Sequence, residues 1–215
     1  MRMVQLTRAI SGLYAVTPDC ADTARLLELA ENALSGGVNV LQYRNKGAGK
    51  LLRLNQAARL LELTRQFSVP LIINDDVDLA LQINADGVHL GATDAELNYA
   101  RDALGKQKIV GISCYNSMSR AREAAAAGAD YLAFGSFYSS RIKPDAVTAN
   151  VELLREARAE FGMPLVAIGG ITAQNALPLL KAGADAVAVI SALFDAEDVK
   201  VVANQFSELF NKSTT

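Results

Sequence analysis

The sequence predicts an α/β protein: a single domain, residues 1–215, folded as a (β/α)8 TIM barrel. Three observations predict this fold. Short apolar runs alternate eight times with longer helical segments, several helix-to-strand junctions repeat one motif, and the apolar runs end abruptly in polar or glycine residues. Eight strand-then-helix units in about 200 residues are near the lower size limit of such a barrel.

The apolar runs are short and flanked by glycine, proline or polar residues, which is typical of strands. We predict strands at 12–16, 38–42, 71–73, 87–90, 109–112, 131–135, 165–168 and 186–190. The longer segments between them predict helices at 23–34, 50–67, 77–83, 95–104, 117–127, 151–161, 173–182 and 196–211. A long polar loop is expected at 136–147.

The junctions that lead from a helix into a strand repeat along the chain. The repeated segments read Gly-Gly-Val-Asn-Val (36–40), Asn-Ala-Asp-Gly-Val (84–88), Gly-Ala-Asp-Tyr-Leu (128–132) and Gly-Ala-Asp-Ala-Val (183–187). Glycine ends the helix and the apolar residues begin the strand. An open, doubly wound sheet is the competing architecture, but no Gly-x-Gly-x-x-Gly turn follows the first strand, which favours the barrel.

Composition excludes several classes of function. The net charge is −2, with 21 basic and 23 acidic residues and no basic stripe, so nucleic acid and anionic lipid are not expected as partners. Cys20 and Cys114 have no metal-ligand spacing, and His89 is the one histidine, so a multi-histidine zinc site is excluded. The N-terminus lacks an apolar stretch of signal-peptide length, and no run approaches a membrane span. We therefore expect a cytoplasmic protein that binds small molecules; its association into a homo-oligomer is left open.

Two carboxylates follow neighbouring strands. Asp75 comes directly after the third strand and Asp94 follows the fourth. A buried parallel strand is apolar throughout, so the change to polar residues marks its carboxyl end, and in a barrel those ends form the rim that carries the active site. Two carboxylates at one rim suggest Mg²⁺ shared with substrate phosphate oxygens. The alternative is that both residues are helix N-caps, which is the commonest use of aspartate there.

Groups that bind phosphate dominate the other strand ends. Arg44 and Lys46 follow the second strand, Lys143 lies in the loop after the sixth, and Gly169-Gly170 and Ser191 follow the seventh and eighth. Barrels often bind phosphate at the last two of these loops. The rim therefore predicts two anion sites, one with metal and one without, for two phosphorylated ligands or one ligand with phosphates at both ends.

Taken together and in order, the strand-end motifs resemble those of the thiamine-phosphate synthase family. They cover the whole chain: Gln42-Tyr43-Arg44-Asn45-Lys46, Ile73-Asn74-Asp75, Gly87-Val88-His89-Leu90-Gly91 with Asp94, Gly111-Ile112-Ser113, Lys143, Gly169-Gly170-Ile171 and Ile190-Ser191. The resemblance implies a transferase of thiamine biosynthesis. It would join 4-amino-2-methyl-5-(diphosphooxymethyl)pyrimidine to 4-methyl-5-(2-phosphooxyethyl)thiazole, giving thiamine phosphate and pyrophosphate. Diphosphate would leave first, and the thiazole nitrogen would capture the resulting carbocation.

The resemblance also implies a role for each motif residue. Asp75 and Asp94 would bind Mg²⁺, and catalytic roles would fall to Arg44, Lys46, Ser113 and Lys143. The pyrimidine diphosphate would be held by Gln42, Arg44, Lys46, Asn74, Ser113 and Lys143, with Tyr43 and Asn45 also in contact with substrate. The thiazole phosphate would be held by Ser140, Gly170, Ile190 and Ser191.

The chain departs from the family pattern at two places. The phosphate loop, usually Pro-Thr-x-Thr-Lys, reads Ser-Ser-Arg-Ile-Lys at 139–143, so Ile142 cannot donate a hydrogen bond and Arg141 would have to compensate. Tyr115 stands where the family often has a histidine. Two alternatives therefore stay open beside the synthase: a related thiazole tautomerase and a catalytically silent barrel that binds a thiamine-related phosphate. A phosphosugar isomerase or epimerase would leave Asp75, Asp94 and the basic second strand end unexplained.

Overall fold

The computed structural model describes residues 10–91, 94–139 and 149–213, apart from the side chains of residues 94–96 and 212–213. Eight parallel strands pair in chain order and close on themselves, with β1 next to both β2 and β8. The strands are β1 (Gly12–Val16), β2 (Val40–Tyr43), β3 (Leu71–Asn74), β4 (Gly87–Leu90), β5 (Ile109–Tyr115), β6 (Tyr131–Phe134), β7 (Leu165–Ile168) and β8 (Ala186–Val189). The predicted barrel is confirmed, and the competing architecture, an open, doubly wound sheet, does not occur.

Helices lie between the strands and cover the outside of the barrel. Their bounds in the described ranges are α1 (Thr23–Ser35), α2 (Lys50–Gln66), α3 (Val77–Ile83), α4 (Asp94–Leu104), α5 (Met118–Ala126), α6 (Val151–Glu160), α7 (Leu177–Lys181), α8 (Ser191–Phe194) and α9 (Val199–Ser213). A short 3₁₀ helix, Gly105–Gln107, follows α4. None of the described helices is long and apolar enough to cross a bilayer.

Several predicted elements differ in extent from the structure, among them β2 (Val40–Tyr43, not 38–42) and α9 (from Val199, not 196), and one short helix was not predicted. The helix expected from residue 173 begins at Leu177, because Pro178 fits only the first turn of a helix and the preceding segment folds as a turn closed by Asn175 onto Thr172. Strand β5 continues three residues beyond 112 to Tyr115, with a shift in register after Ser113. Helix α8 was not predicted, since four residues are too few to show helical periodicity.

Side-chain caps fix where several helices begin. The Asp22 carboxylate accepts hydrogen bonds from the backbone N–H groups of Ala24 and Arg25 at the start of α1. At α3 the cap is Asp76, which accepts from the N–H of Leu79 at 2.9 Å. The cap after β3 is therefore Asp76, and Asp75 does not fill the N-cap role considered for it.

The repeated junction motif has a structural role at the amino ends of the strands. Each of the four motifs contains one asparagine or aspartate just before its strand: Asn39, Asp86, Asp130 or Asp185. The side chain of this residue accepts a hydrogen bond from a backbone N–H in the preceding strand, which is β1, β3, β5 or β7. The four donors are Leu13 (3.0 Å), Leu71 (2.9 Å), Val110 (2.8 Å) and Leu165 (2.7 Å). The backbone N–H of the same acid or amide donates back to the carbonyl of that strand residue. Each repeat thus joins an odd strand to the even strand that follows it.

Two arginines strengthen the last two of these junctions. Arg101 of α4 pairs with Asp130 and donates to the carbonyl of Gly128. Arg158 of α6 pairs with Asp185 and donates to the carbonyl of Gly183. Both ion pairs lie at the amino ends of the strands, the face of a barrel where conserved interactions serve stability.

Two separate apolar cores hold the barrel. The larger one lies between the strands and the helices, and the smaller one fills the barrel with residues that include Ile10, Val40, Ile72, Val166 and Ala186. Two tyrosines, Tyr14 and Tyr131, belong to the inner core and are fully buried. Their rings need room that Gly111 provides: a Cβ at this glycine would lie 1.8 Å from Cζ of Tyr131 and 2.3 Å from its hydroxyl oxygen.

We expect Gly111→Ala to destabilise the protein by about 1–3 kcal/mol, the usual cost of overpacking, because Tyr131 must leave its position. Urea unfolding measures the loss, and near-ultraviolet circular dichroism reports the tyrosine environment. Gly162→Ala is the matched control, since a Cβ there meets nothing within 4 Å. Equal stability of the two variants would contradict the assigned role of Gly111.

Candidate active site

The predicted site residues that the structure describes gather at the carboxyl ends of the strands. Gln42, Asn74, His89 and Ser113 lie at inward-facing positions near the carboxyl ends of β2 to β5. Asn74 is paired with His89 in the sheet register. Arg44, Lys46 and Asp75 lie just beyond those strand ends, and Gly170, Ile190 and Ser191 follow β7 and β8. Ser140 and Lys143 lie outside the described residues, as does the side chain of Asp94, the first residue of α4.

The loop after β2 is fixed by the loop after β1. The Arg44 backbone N–H donates to Oγ1 of Thr17 at 2.9 Å, and the same hydroxyl donates to the Arg44 carbonyl at 2.9 Å. One Asp19 oxygen accepts from Nη1 of Arg44 at 3.1 Å and from the backbone N–H of Lys46 at 2.9 Å. Thr17 and Asp19 thus orient the two basic residues, a role that the sequence did not reveal.

Tyr43 and Asn45 have partners within the protein. The Tyr43 hydroxyl donates to Oε1 of Gln56 at 2.8 Å. Nδ2 of Asn45 donates to the same oxygen at 3.0 Å and to the carbonyl of Cys20 at 2.6 Å. Both residues are buried and tie β2 to α2 and to the β1 loop. Their contact with substrate stays a prediction.

Asp75 presents its carboxylate at the barrel mouth. Its backbone is left-handed, with φ of +58°, while its N–H donates to the carbonyl of His89 at 2.9 Å. Oδ2 accepts from Nδ2 of Asn74 at 2.8 Å and lies 3.5 Å from Nζ of Lys46. Its carboxylate is 47% exposed, so further coordination is open to it.

The Asp75 carboxylate fits a magnesium site of the kind that shares its ion with a substrate. Mg²⁺ is usually held by one or two carboxylates together with water and phosphate oxygens. Within the described residues there is no cluster of three or more His, Cys, Asp and Glu side chains that suits a metal held by protein alone. A pocket beside Asp75 is lined by Lys46, Arg53 and Asn74 among others, which gives this part of the mouth cationic and amide donors.

A chain of hydrogen bonds crosses the inside of the barrel beneath the mouth. Nε2 of Gln42 donates to the Tyr14 hydroxyl at 2.8 Å, and the hydroxyls of Tyr14 and Tyr131 are 2.8 Å apart. The Tyr131 hydroxyl lies 2.9 Å from Nδ1 of His89, whose Nε2 lies 2.9 Å from Oγ of Ser113. The chain therefore connects two residues predicted to bind the pyrimidine diphosphate. Tyr14 and Tyr131 were missed; the signal available was a tyrosine at an inward-facing position of each of two apolar strands, β1 and β6.

Burial keeps the members of this chain uncharged. Desolvation lowers the pKa of His89 from its ordinary value of 6.5 to about 4, with a smaller opposing effect from the Asp75 charge. Desolvation likewise raises the pKa values of Tyr14 and Tyr131. His89 is thus a neutral, hydrogen-bonded residue at neutral pH. Burial also raises the pKa of the Cys114 thiol to about 12, so this thiol stays protonated and packs in the outer core.

The loop after β7 is shaped by its two glycines. Both have positive φ, +106° for Gly169 and +60° for Gly170. A Cβ at Gly169 would lie 2.0 Å from Oγ of Ser136, and one at Gly170 would lie 2.5 Å from the carbonyl oxygen of Ser139. Asn175 donates to the Gly170 carbonyl at 3.1 Å. The glycines therefore let the loops after β6 and β7 approach each other closely.

Tyr115 contacts the loop that leads to Asp94. Its hydroxyl donates to the Gly91 carbonyl at 3.3 Å, and Nη2 of Arg120 donates to the same oxygen at 3.3 Å. The Arg120 guanidinium also lies 4.9 Å from the centre of the Tyr115 ring. Tyr115 and Arg120 thus support the end of β4.

The lowered pKa of His89 predicts a loss of stability in mild acid. In the unfolded chain the His89 imidazole is protonated below about pH 6.5, whereas in the folded protein it is protonated only below about pH 4. The unfolded state therefore binds more protons between these two values, and the stability of the fold falls as the pH falls through this window. Between about pH 7 and pH 5 we expect a loss of about 2 kcal/mol from this group. Urea unfolding in the presence of chelator measures it, and His89→Gln, which does not titrate, should lack this loss. Parallel pH profiles for the two proteins would contradict the assignment.

Comparisons with known proteins agree with this geometry. The model of a family described as thiamine monophosphate synthase matches residues 13–193. A thiamine-phosphate synthase of Methylobacillus flagellatus is 55% identical over 202 residues, which cover 94% of this chain and 96% of the relative. One from Nitrosospira multiformis is 52% identical over 207 residues, covering 96% and 88%.

A solved structure of the same kind of enzyme is also similar to this chain. The thiamine phosphate pyrophosphorylase of Pyrococcus furiosus superposes with a TM-score of 0.86 at 34% identity, covering 98% of this chain and all of that one. Family model, relatives and structure each span most or all of the barrel. The chain therefore belongs to the thiamine-phosphate synthase family of transferases.

Proposed function

We propose that the barrel joins 4-amino-2-methyl-5-(diphosphooxymethyl)pyrimidine to 4-methyl-5-(2-phosphooxyethyl)thiazole, releasing pyrophosphate and forming thiamine phosphate. One observation carries the proposal for this chain's own residues: a cationic loop and an exposed carboxylate meet at the mouth, with Nζ of Lys46 3.5 Å from Oδ2 of Asp75. A bound diphosphate needs both, cations for its oxygens and a carboxylate for the metal that accompanies it.

The reaction proposed needs stabilisation of a leaving group more than proton transfer. Departure of diphosphate leaves a carbocation on the pyrimidine-methyl group, which the thiazole nitrogen captures. Arg44, Lys46 and Lys143 would stabilise the charge that develops on the diphosphate, and Ser113 would donate to one of its oxygens. Preorganisation by Thr17 and Asp19 keeps Arg44 in place before the substrate arrives.

Asp75 and Asp94 would hold Mg²⁺, which when bound neutralises charge on the diphosphate. The position of Asp75 next to Lys46 and Asn74 supports this assignment. A neutral His89 with its Nε2 against Ser113 agrees with a site that uses no histidine base.

The two substrates would occupy neighbouring parts of one mouth. Gln42 and Asn74, with Ser113, would hold the pyrimidine diphosphate over the polar chain. The thiazole phosphate would be held by Ser140, Gly170, Ile190 and Ser191. The close approach of the loops after β6 and β7 and the start of α8 at Ser191 support that placement.

Two further expectations stay predictions: a cytoplasmic location and a single domain over residues 1–215. The effect of Ile142 also stays a prediction, since it lies outside the described residues. Neither the tautomerase nor the silent barrel gains support from the comparisons, because the relatives and the solved structure named above are synthases or pyrophosphorylases.

Turnover tests the function directly. Purified protein with both substrates and Mg²⁺ is expected to release thiamine phosphate, and chelator should abolish that release. Each substrate alone is the control. Product formed equally well with chelator would overturn the metal assignment, and a folded protein without product would favour the silent binder.

We expect Asp75→Asn to lower turnover by about 10²-fold or more, because the metal loses a charged ligand. Asparagine is the substitution of choice, since the left-handed backbone at this position tolerates Asn and Asp better than alanine. Asp78→Asn removes a carboxylate that accepts from the Tyr99 hydroxyl on the surface and serves as the matched control. Steady-state rates over a Mg²⁺ titration measure the effect; unchanged turnover and Mg²⁺ dependence in Asp75→Asn would rule the ligand out.

A further inference from the structure

Each hydrogen bond in the chain inside the barrel has one donor and one acceptor. The Gln42 amide donates at one end, and this determines which group donates in every bond that follows. Gln42 contributes an N–H to the Tyr14 oxygen. Among the described residues, the Tyr14 hydroxyl has one other hydrogen-bond partner, the hydroxyl of Tyr131. Tyr14 is fully buried, so leaving its hydroxyl proton without an acceptor would cost the free energy of taking that hydroxyl out of water. The Tyr14 proton therefore goes to Tyr131.

The direction of the hydrogen bonds continues from Tyr131 to the mouth. Tyr131 already accepts from Tyr14, so its own proton goes to Nδ1 of His89, 2.9 Å away. A neutral imidazole has one N–H and one acceptor nitrogen. With Nδ1 accepting, the proton is on Nε2, which donates to Oγ of Ser113 at 2.9 Å.

We infer that this chain makes His89 a positioning residue: it fixes the Nε2-protonated tautomer of the imidazole, which in turn leaves the Ser113 hydroxyl proton free to be donated to a ligand at the mouth. Tyr131, whose hydroxyl donates to Nδ1, is a positioning residue at one remove. The inference deepens the proposed function and rests on it, because the ligand of Ser113 is taken to be the diphosphate substrate.

Packing fixes the chain as firmly as its hydrogen bonds do. The ring of His89 stacks on that of Tyr131, with centroids 5.6 Å apart and planes 19° from parallel. Tyr131 meets Tyr14 edge to face at 6.0 Å. The space for Tyr131 exists because residue 111 is glycine. Turning either ring would break this packing, so Nε2 of His89 faces Oγ of Ser113 before any ligand binds.

The direction matters for catalysis because of what Ser113 presents. A serine that donates inward to histidine offers a ligand only lone pairs, which repel a phosphate oxygen. A serine that accepts from histidine offers its proton, which suits a leaving diphosphate. The opposite orientation of the Gln42 amide would reverse every bond in the chain, so the direction is a definite and testable property.

Nitrogen-15 NMR tests the direction without any substrate. His89 is the one histidine of the chain, so labelled protein without a histidine tag gives one imidazole pattern. At neutral pH we expect a protonated Nε2 and an unprotonated Nδ1 in two-bond proton–nitrogen correlations. A protonated Nδ1 in the wild-type protein would overturn the inference, whether or not the protein turns over substrate.

Two tyrosine variants distinguish the effect of hydrogen-bond direction on the His89 tautomer from the effect of ring packing. Tyr131→Phe removes the donor to Nδ1, so we expect the imidazole to become a mixture of tautomers. Tyr14→Phe removes a hydroxyl of the same kind one step further along, but Tyr131 can still donate to Nδ1, so the imidazole pattern should stay as in the wild type. Equal responses of the two variants would show that the chain acts by packing alone.

Kinetics then tests the effect on Ser113. We expect His89→Leu to change either the KM for the pyrimidine diphosphate, which would rise, or kcat, which would fall. The change should be about tenfold, the usual effect of one lost hydrogen bond. The KM for thiazole phosphate should be unchanged. His89→Gln can still donate to Ser113 and should recover most of the loss. Wild-type rates in His89→Leu, or no recovery in His89→Gln, would overturn the positioning role. Failure of the wild-type enzyme to form product would instead count against the proposed function and leave the NMR result intact.

Discussion

Closure of the parallel sheet is the constraint on which the rest of the molecule depends. Pairing of β1 with β8 removes both free strand edges and sends all eight carboxyl ends to one mouth. Alternation of side chains along each strand then divides the residues between an inner and an outer core. Residues from distant parts of the sequence, such as Arg44, Ser113 and Gly170, come to the same mouth because of this closure.

The two ends of the barrel use polar residues for different purposes. At the amino ends, Asp130 and Asp185 each accept from a strand N–H and pair with an arginine of a neighbouring helix, so their hydrogen-bonding capacity is used within the protein. At the carboxyl ends, Asp75 stays half exposed and Lys46 more so. The protein thus stabilises its fold at one end and keeps charge available for a ligand at the other. Between them, the chain from Gln42 to Ser113 is buried at Gln42 and the two tyrosines and half-buried at His89 and Ser113, and its histidine is neutral, which makes it suited to holding geometry rather than to exchanging protons.

Sequence patterns predicted the elements that depend on local chemistry. β1, β4 and β7 and helix α3 have the predicted bounds, since each is enclosed by glycine, proline or a capping residue. The start of α7 and the length of β5 were wrong, because the first depends on a turn closed by Asn175 and the second on pairing with β6. For the site, the strand-end residues were predicted from the abrupt change from apolar to polar. Thr17, Asp19, Tyr14 and Tyr131 were not, because their partners are far away in sequence.

The sequence by itself determined the barrel, the family and the types of residue at the mouth, because apolar periodicity and strand-end motifs are local properties. Only the tertiary structure decided which aspartate caps a helix and which stays open to a ligand: Asp76 faces the N–H of Leu79, whereas Asp75 has a left-handed backbone and faces Lys46. It also decided that His89 is a neutral link between Tyr131 and Ser113. The physical reason is that burial and hydrogen-bond partners are set by closure of the sheet, which joins residues that no local pattern relates.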